Sequence, residues 1–547
     1  MRHVLRLLGT AAVFVIAASM AQAEIPSIKA ITPAGGQRGQ TVEITVQGVL
    51  GTPPLKFWSN RPELTASFPE KPEKTFSITI PDSIPPGLAL FRITNAESAS
   101  SLRPFLIGTF PELSETEENE RLTAAQKIES TPVTVNGTLG KNGDVDTYQL
   151  ELEQGQTLVA EISANRNLGS PLDAVLQVVS AKGFVLAQND DDRGNDPLLA
   201  FEVPETGIYY VRTFGFPETP NSSIRFSGGA DWIYRLTITT GPYIDHIQPL
   251  AVTQGTETSG EAVGWNLPTT SVKIPALVTE GSTNFLAVPT TNVVPLSVVS
   301  HPVLTESEAP ETITSLPVTL SGQIVEPGEV DAFQIAGKKG NPLFLKAEAR
   351  ILGSQLDPVL RLTDSDGKEL SEVDDPTRGE YDSELTYSPK ADGPLIVEIR
   401  DRFEHGSPRH YYRLTISPQE VGYATEVTED HYEFPAEDKP LEIPVTVIRD
   451  KGFGEPITFS VEGLPDGVTA EAVTSEPKGD SSKKVTLKLV RGEIESFSSA
   501  IQIVAVSQGE AALATSATTQ IKPTMEKVDQ IWLTVPPLKS TAKKESE

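Results

Sequence analysis

Residues 186–196 read "LAQNDDDRGND", with four aspartates, two asparagines and one glycine in eleven positions. Hard cations such as calcium are held by six to eight such oxygens, so the run could grip an ion through Asp190, Asp191, Asp192 and Asp196. Asp190, Asp192 and Gly194 imitate the start of an EF-hand loop, yet no glutamate closes it at the twelfth position. The other reading is a solvated loop in which short polar side chains bond their own backbone in Asx-turns. The run alone leaves both open.

Catalytic spacing is absent elsewhere. The sequence contains no nucleophile elbow of the GxSxG type, no HExxH pair, no Walker loop and no dinucleotide glycine fingerprint. Five histidines follow the first 23 residues (His246, His301, His405, His410 and His431), and none has another three or four positions away. A serine–histidine–aspartate triad is a matter of geometry, so residue presence decides nothing. Paired carboxylates for glycoside hydrolysis would have to sit on a sandwich face without other support. Two tryptophan sites, Phe57-Trp58 and Trp232, could form binding platforms or simply pack.

The elements that must carry these residues are strands. Apolar residues alternate at Tyr148, Leu150 and Leu152, at Tyr234, Leu236 and Ile238, and at Tyr412, Leu414 and Ile416. Period-two runs cut by Gly, Asp, Asn and Pro predict antiparallel sandwiches; only "RLTAAQKIES" (121–130) offers a short helix. The expected fold class is all-β, a tandem array of β-sandwich domains, jelly-roll-like and Ig-like.

Arg2, His3 and Arg6 precede an apolar stretch, Leu7 to Met20, and a small-x-small site at Ala21-Gln22-Ala23. This predicts an export signal over 1–23 and a periplasmic, cell-surface or extracellular address, without embedding in the membrane. Removing it leaves 43 basic against 74 acidic residues, a net charge of −31, which repels nucleic acid and favours divalent cations or basic partners. The chain has no cysteine, so ordinary cores and bound ions must do what disulfides do in other exported proteins. About 520 residues exceed what one core serves, so several domains are expected.

A duplication organises them. "TPVTVNGTLGKNGDVDTYQLELEQG" (131–155) aligns with "LPVTLSGQIVEPGEVDAFQIAGKKG" (316–340), "LGSPLDAVLQVVSAKG" (168–183) with "LGSQLDPVLRLTDSDG" (352–367), and "YRLTIT" with "YRLTIS". The preceding segments also correspond, "FPELSETEENE" with "HPVLTESEAPE". Residues 24–109, with "TPAGGQRGQTVEITVQG", resemble the IPT/TIG type of Ig-fold domain, and 240–300 look like a shorter, degenerate relative. Residues 418–537, with "LPDG" between alternating strands, resemble bacterial Ig-like domains. The expected layout is therefore signal (1–23), IPT/TIG-like domain (24–109), acidic linker (110–130), first repeat (131–239), degenerate domain (240–300), acidic linker (301–315), second repeat (316–417), Ig-like domain (418–537) and a disordered tail (538–547). Linkers of this composition suggest independent beads on an elongated string.

The repeated motifs "GDVDTY", "LGSPLDAVL", "LAQNDDD", "PETGIYYVR" and "YRLTI" resemble the bacterial pre-peptidase C-terminal domain, twice over. The resemblance implies a jelly-roll-like sandwich of the kind that flanks secreted peptidases and also occurs without a catalytic domain. Collagenase relatives bind calcium through an acidic segment before the domain and aspartates near its first strand. Carried onto this sequence, the implied ligands are Glu115, Glu117, Asn119, Glu120, Asp144 and Asp146, with Glu118 where proline is usual. The second copy keeps Glu306, Glu308, Glu311 and Asp331, but Pro310 replaces the asparagine and Glu329 the first aspartate.

These features point to an exported, non-catalytic binding or adhesion protein that takes Ca²⁺ and meets an extracellular protein or polysaccharide. The alternatives are an accessory or remnant component of a secreted peptidase system and a glycan-active enzyme on a sandwich scaffold.

Overall fold

A computed structural model of the chain describes residues 23–537 apart from 221, 223–224, 278–280, 377–380, 436–438, 451, 510–511 and 522–526. The expected export signal, apart from Ala23, and the tail lie outside the described residues. Strands make up 53% and helix about 3%, which fixes the class as all-β, a tandem array of small sandwiches. No helix among the described residues is long and apolar enough to cross a membrane.

Alternation sets the strand faces. In Asp146–Leu152, Tyr148, Leu150 and Leu152 are buried, while Glu151 faces out. The first repeat pairs two five-stranded sheets. One runs Gln126–Lys127, Asp146–Leu152, Gly207–Pro217, Leu172–Ser180 and Val185–Asn189. The other runs Glu112–Ser114, Val133–Thr138, Ile233–Thr239, Thr157–Ser163 and Leu198–Glu202. Tyr148, Leu176, Val211, Tyr234 and Leu236 fill the core between them. The second repeat keeps this order with Val303–Thr305, Val318–Gln323, Tyr411–Pro418, Leu343–Glu348 and Ser383–Tyr387 in one sheet. Each of the other three units also has its own core, around Phe76 and Phe91, around Ile247 and Val294, and around Phe459 and Leu487.

The acidic segments are not tethers. Glu112–Ser114 runs parallel to Thr134–Asn136 as an edge strand, and Val303–Thr305 pairs the same way with Thr319–Ser321. Their backbone groups find ladder partners that a free linker would leave to water. The short helix expected at 121–130 is instead a 3₁₀ turn, Leu122–Ala124, followed by Gln126–Lys127 pairing with Tyr148–Gln149.

Nor are the units beads on a string. Arg193 of the first repeat meets Glu161 at 2.7 Å and Asp245 of the middle unit at 3.0 Å. Arg409 of the second repeat reaches the same Asp245 at 3.0 Å and grips Asp192 with both terminal nitrogens, at 2.8 and 2.6 Å. At the other junction, Arg92 of the first unit lies over Trp58 and over Trp532 of the last, with ring distances of 5.9 and 5.2 Å. Asp430 of the last unit sits 3.6 Å from that guanidinium and accepts the Leu102 N–H at 2.6 Å. Buried charge is tolerated only where it is paired and hydrogen-bonded, so these contacts tie the units together.

Candidate metal centre

The first repeat gathers its acidic groups where the edge strand runs out. After Ser114 the Glu115 N–H still bonds the Asn136 carbonyl at 2.9 Å, which turns the Glu115 side chain over Gly137. A β-carbon at Gly137 would collide with the Tyr234 ring and crowd the Glu115 carboxylate, so glycine opens the space that the acid fills. The chain then passes 117–120, through a cis Glu117–Glu118 peptide bond, beside the loop that leads into Asp146–Leu152. Carboxylate oxygens of Glu117, Glu120 and Asp144 lie within 4.8 Å of one another there.

Hydrogen bonds order the inner half. Tyr148 and Tyr234 share a 2.5 Å bond between hydroxyls, and Tyr234 lies 2.5 Å from Asp146 Oδ2 and 3.2 Å from Glu115 Oε2. Asp144 Oδ2 accepts the Gly140 N–H at 2.6 Å. Lys141 reaches Glu120 at 2.6 Å and Asp144 at 3.9 Å from the exposed side. Burial holds the Glu115 and Asp146 carboxyls above the ordinary range. The Glu115 charge adds to the rise at Asp146, whereas at Glu115 the bond from Asp146 works against it and the Glu117 charge adds to it. Burial, then the charges of Asp144 and Glu120, likewise raises Glu117.

The oxygens facing inward are unused. Asn119 is fully buried, and neither its Oδ1 nor its Nδ2 has a hydrogen-bond partner among the described residues. The same holds for Oδ1 of Asp144 and Oδ1 of Asp146, both also buried. Leaving a buried polar atom unpaired costs about 1–3 kcal/mol, and more for a charge. An all-oxygen set with unspent lone pairs fits a hard cation. Of the six positions named from the sequence, Glu117, Glu120 and Asp144 converge, Glu115 and Asp146 meet at the Tyr234 hydroxyl, and Asn119 is buried between Glu117 and Glu120 in the chain; two further residues were missed. Tyr148 and Tyr234 read as core residues by alternation, and nothing local marks their hydroxyls as polar floor of the site.

The second repeat reproduces only that floor. Tyr412 donates to Asp331 at 2.7 Å, and Glu306 accepts the Gln323 N–H above Gly322. Burial, then the Asp331 charge, pushes Glu306 up to about 7. Glu308 turns back to cap its own 3₁₀ turn, at 2.9 Å from both the N–H and the hydroxyl of Thr305. Glu311 is exposed, and Glu329 accepts the N–H groups of Val325 and Glu326.

The run at 186–196 is neither fully solvated nor convergent. Asp196 is buried and accepts the N–H groups of Ala164, Asn165 and Arg166 at 2.8–3.2 Å, capping the turn Asn165–Leu168. Asp192 is buried against Arg409 and Gln355, and Asp190 and Asp191 stay on the outer side near Asp173. Arginine and backbone donors thus occupy two of the four carboxylates expected to share an ion, Asp192 and Asp196. The aromatic platforms dissolve likewise: Trp232 belongs to the core, and Trp58 packs edge-on against Trp532 at 5.7 Å. His246 has Asp245 on Nδ1 at 2.9 Å, but its Nε2 meets the Gln323 amide at 3.1 Å and no hydroxyl nucleophile.

Residues 144–215 match the bacterial pre-peptidase C-terminal domain. The matched stretch begins at Asp144 and ends within the long strand Gly207–Pro217. A probable subtilase-type serine protease from Deinococcus radiodurans is 31% identical over 96 residues, 17% of this chain and 13% of that protein. This chain therefore spans only a small part of that relative's length. Among solved structures, Aeromonas hydrophila PliG, a periplasmic inhibitor of g-type lysozyme, aligns at 14% identity over 24% of this chain and 97% of that one, with a TM-score of 0.15. Tripeptidyl peptidase 2 aligns at 9% identity over 92% and 40%, with a TM-score of 0.14. Scores this low carry no argument about function.

Proposed function

We propose that the protein is an exported, non-catalytic array of β-sandwiches that binds an extracellular protein or polysaccharide and is stiffened by calcium at its first repeat. One observation carries the calcium reading: buried, unpartnered oxygens of Asn119, Asp144 and Asp146 beside Glu117 and Glu120. With Glu115 they make six oxygen-bearing side chains, the number at which calcium coordination begins. The ion would neutralise carboxylates that otherwise repel, and would pin the acidic segment to the sandwich at both ends. The expected export signal and the acidic balance support a role outside the cytoplasm, where calcium is abundant.

The second reading is an accessory component of a secreted peptidase system. The pre-peptidase C-terminal match and the stretch shared with a subtilase-type protease favour it. Both readings make the chain a binder and not the catalyst.

Calorimetric titration of the full chain, stripped with EDTA, tests the site. Saturable calcium heat with little response to magnesium is expected, since magnesium demands a smaller octahedral site. Asp144→Asn and Asn119→Ala should remove that heat, and its persistence in both variants would sink the assignment. Casein turnover that vanishes on a single serine or carboxylate substitution would overturn the non-catalytic reading.

A further inference from the structure

A cavity of about 520 Å³ lies where the five units meet, and its wall shares no residue with the acidic centre. Each unit contributes: Leu88 from the first, Arg166 and Arg193 from the first repeat, Phe285 from the middle unit, Ile351 from the second repeat and Lys527 from the last. This volume is within the range of small-molecule sites, which favour domain junctions.

The charges on this wall are unequally satisfied. Its acids are engaged: Glu161 by Arg193 and the Tyr243 hydroxyl, Asp245 by Arg193, Arg409 and His246, and Asp196 by three backbone N–H groups. Of its cations, Arg235 and Lys527 are paired with Glu112 and Glu426, whereas Arg166 and Arg193 are less fully satisfied. Arg166 donates to the Ile351 carbonyl of the second repeat, and among the described residues no carboxylate lies within ion-pair distance of it. Arg193 spends both terminal nitrogens on Glu161 and Asp245, but its Nε is buried without a partner. Burial, and then the neighbouring Arg193 charge, pulls the Arg166 guanidinium below its ordinary value, while the charges of Asp196 and Glu161 pull the other way. Leu88, Phe285 and Ile351 give the cavity its apolar lining.

We infer that this cavity binds a small organic carboxylate, its charged end on Arg166 and its apolar body against Leu88 and Phe285. Guanidinium is suited to that role because its planar donors match a carboxylate in charge-assisted pairs.

The test uses the full chain with benzoate and hexanoate against the neutral benzamide and hexanamide, followed by calorimetry at millimolar concentration. Saturable binding of at least one carboxylate, and of neither amide, is expected. Arg166→Gln should weaken it by about tenfold or more, as loss of a charge-assisted pair does. Leu88→Trp, which fills the cavity and leaves the arginine in place, should also block it. An unchanged calcium titration at the first repeat checks that each variant folds. No saturable binding of either carboxylate, equal binding of the amides, or unchanged affinity in both variants would overturn the inference.

Discussion

Tyr234 in the first repeat and Tyr412 in the second hold the same strand position, and each bonds an aspartate, Asp146 or Asp331, beneath a glutamate, Glu115 or Glu306. Beyond that glutamate the two copies part. In the first, the chain bends at Glu117–Glu118 and brings Glu117 and Glu120 to Asp144. In the second, it closes at once into Glu306–Glu308, whose capping box consumes Glu308. The same tyrosine–carboxylate floor thus supports an oxygen cluster or a plain hydrogen-bonded edge. What decides is the path of five residues, not the count of acids. Their outer loops differ in the same way: Asp192 of the first repeat, matched by Pro376 in the second, is the acceptor for Arg409 of the second, matched by Asp231 in the first.

That asymmetry can be broken most forcefully at the junction. Arg409→Ala strips Asp192 of its ion pair and should cost about 3 kcal/mol, as uncompensated buried charge does. Denaturant unfolding reads the loss, and scattering should report a more open chain. The counterpart change, Asp231→Ala, alters an exposed side chain and is expected to stay within about 0.5 kcal/mol.

Calcium should separate the repeats by a slightly smaller margin. At a hundredfold excess over Kd it adds about 2.7 kcal/mol to the folded state, and proportionately less nearer Kd. Hydrogen exchange should show that protection gathered in residues 112–152. Asp146→Ala should abolish it, whereas Asp331→Ala should leave the calcium heat unchanged. Equal loss from the two variants would end the distinction.

A third expectation concerns protons. Burial raises Asp196 from 3.8 to about 6, against the pull of its backbone donors. A raised folded value means that the folded state binds the proton more tightly than the unfolded one. Its contribution is therefore fully present below pH 4 and is lost as pH rises through 6. Asp382 caps the matching turn, accepting the N–H groups of Ala349, Arg350 and Ile351, and is raised for the same reason but is less enclosed. Asp196→Asn should flatten the stability–pH curve over this window more than Asp382→Asn does, and the reverse order would show that burial is not the cause.

The smallest effect lies on the outer edges. The first repeat exposes Phe184 at 67% and Val185 at 49% beside its edge strand Val185–Asn189. The second carries Lys368 and Glu369 at the same place. Charges on an edge discourage pairing with another chain. Phe184→Lys should change stability by less than about 0.5 kcal/mol while lowering concentration-dependent self-association in light scattering. Unaltered association would locate the contact elsewhere.

The burial of Tyr148 and Tyr234 was legible because alternation along a strand is local. The role of the two hydroxyls was not legible, since a tyrosine in a period-two run looks the same whether its tip meets apolar groups or an aspartate. The acidic segments misled for a related reason. Composition makes 110–120 look solvated, but parallel pairing with 134–136 is a long-range contact that composition does not record.

By itself the sequence determined the all-β class, the duplicated sandwich and the alternation that fills each core, because those follow from the order of side chains along one strand. Only the tertiary structure decided what the polar residues do. Asp192 becomes half of an ion pair because Arg409, 217 residues later, is folded back onto it. Trp58 is packing because Arg92 and Trp532 close over it. Asn119 is buried with unspent hydrogen-bonding atoms, although the acidic run around it reads as solvated. Local order fixes which face a side chain takes, while the partner that gives a polar group its function arrives from elsewhere in the chain.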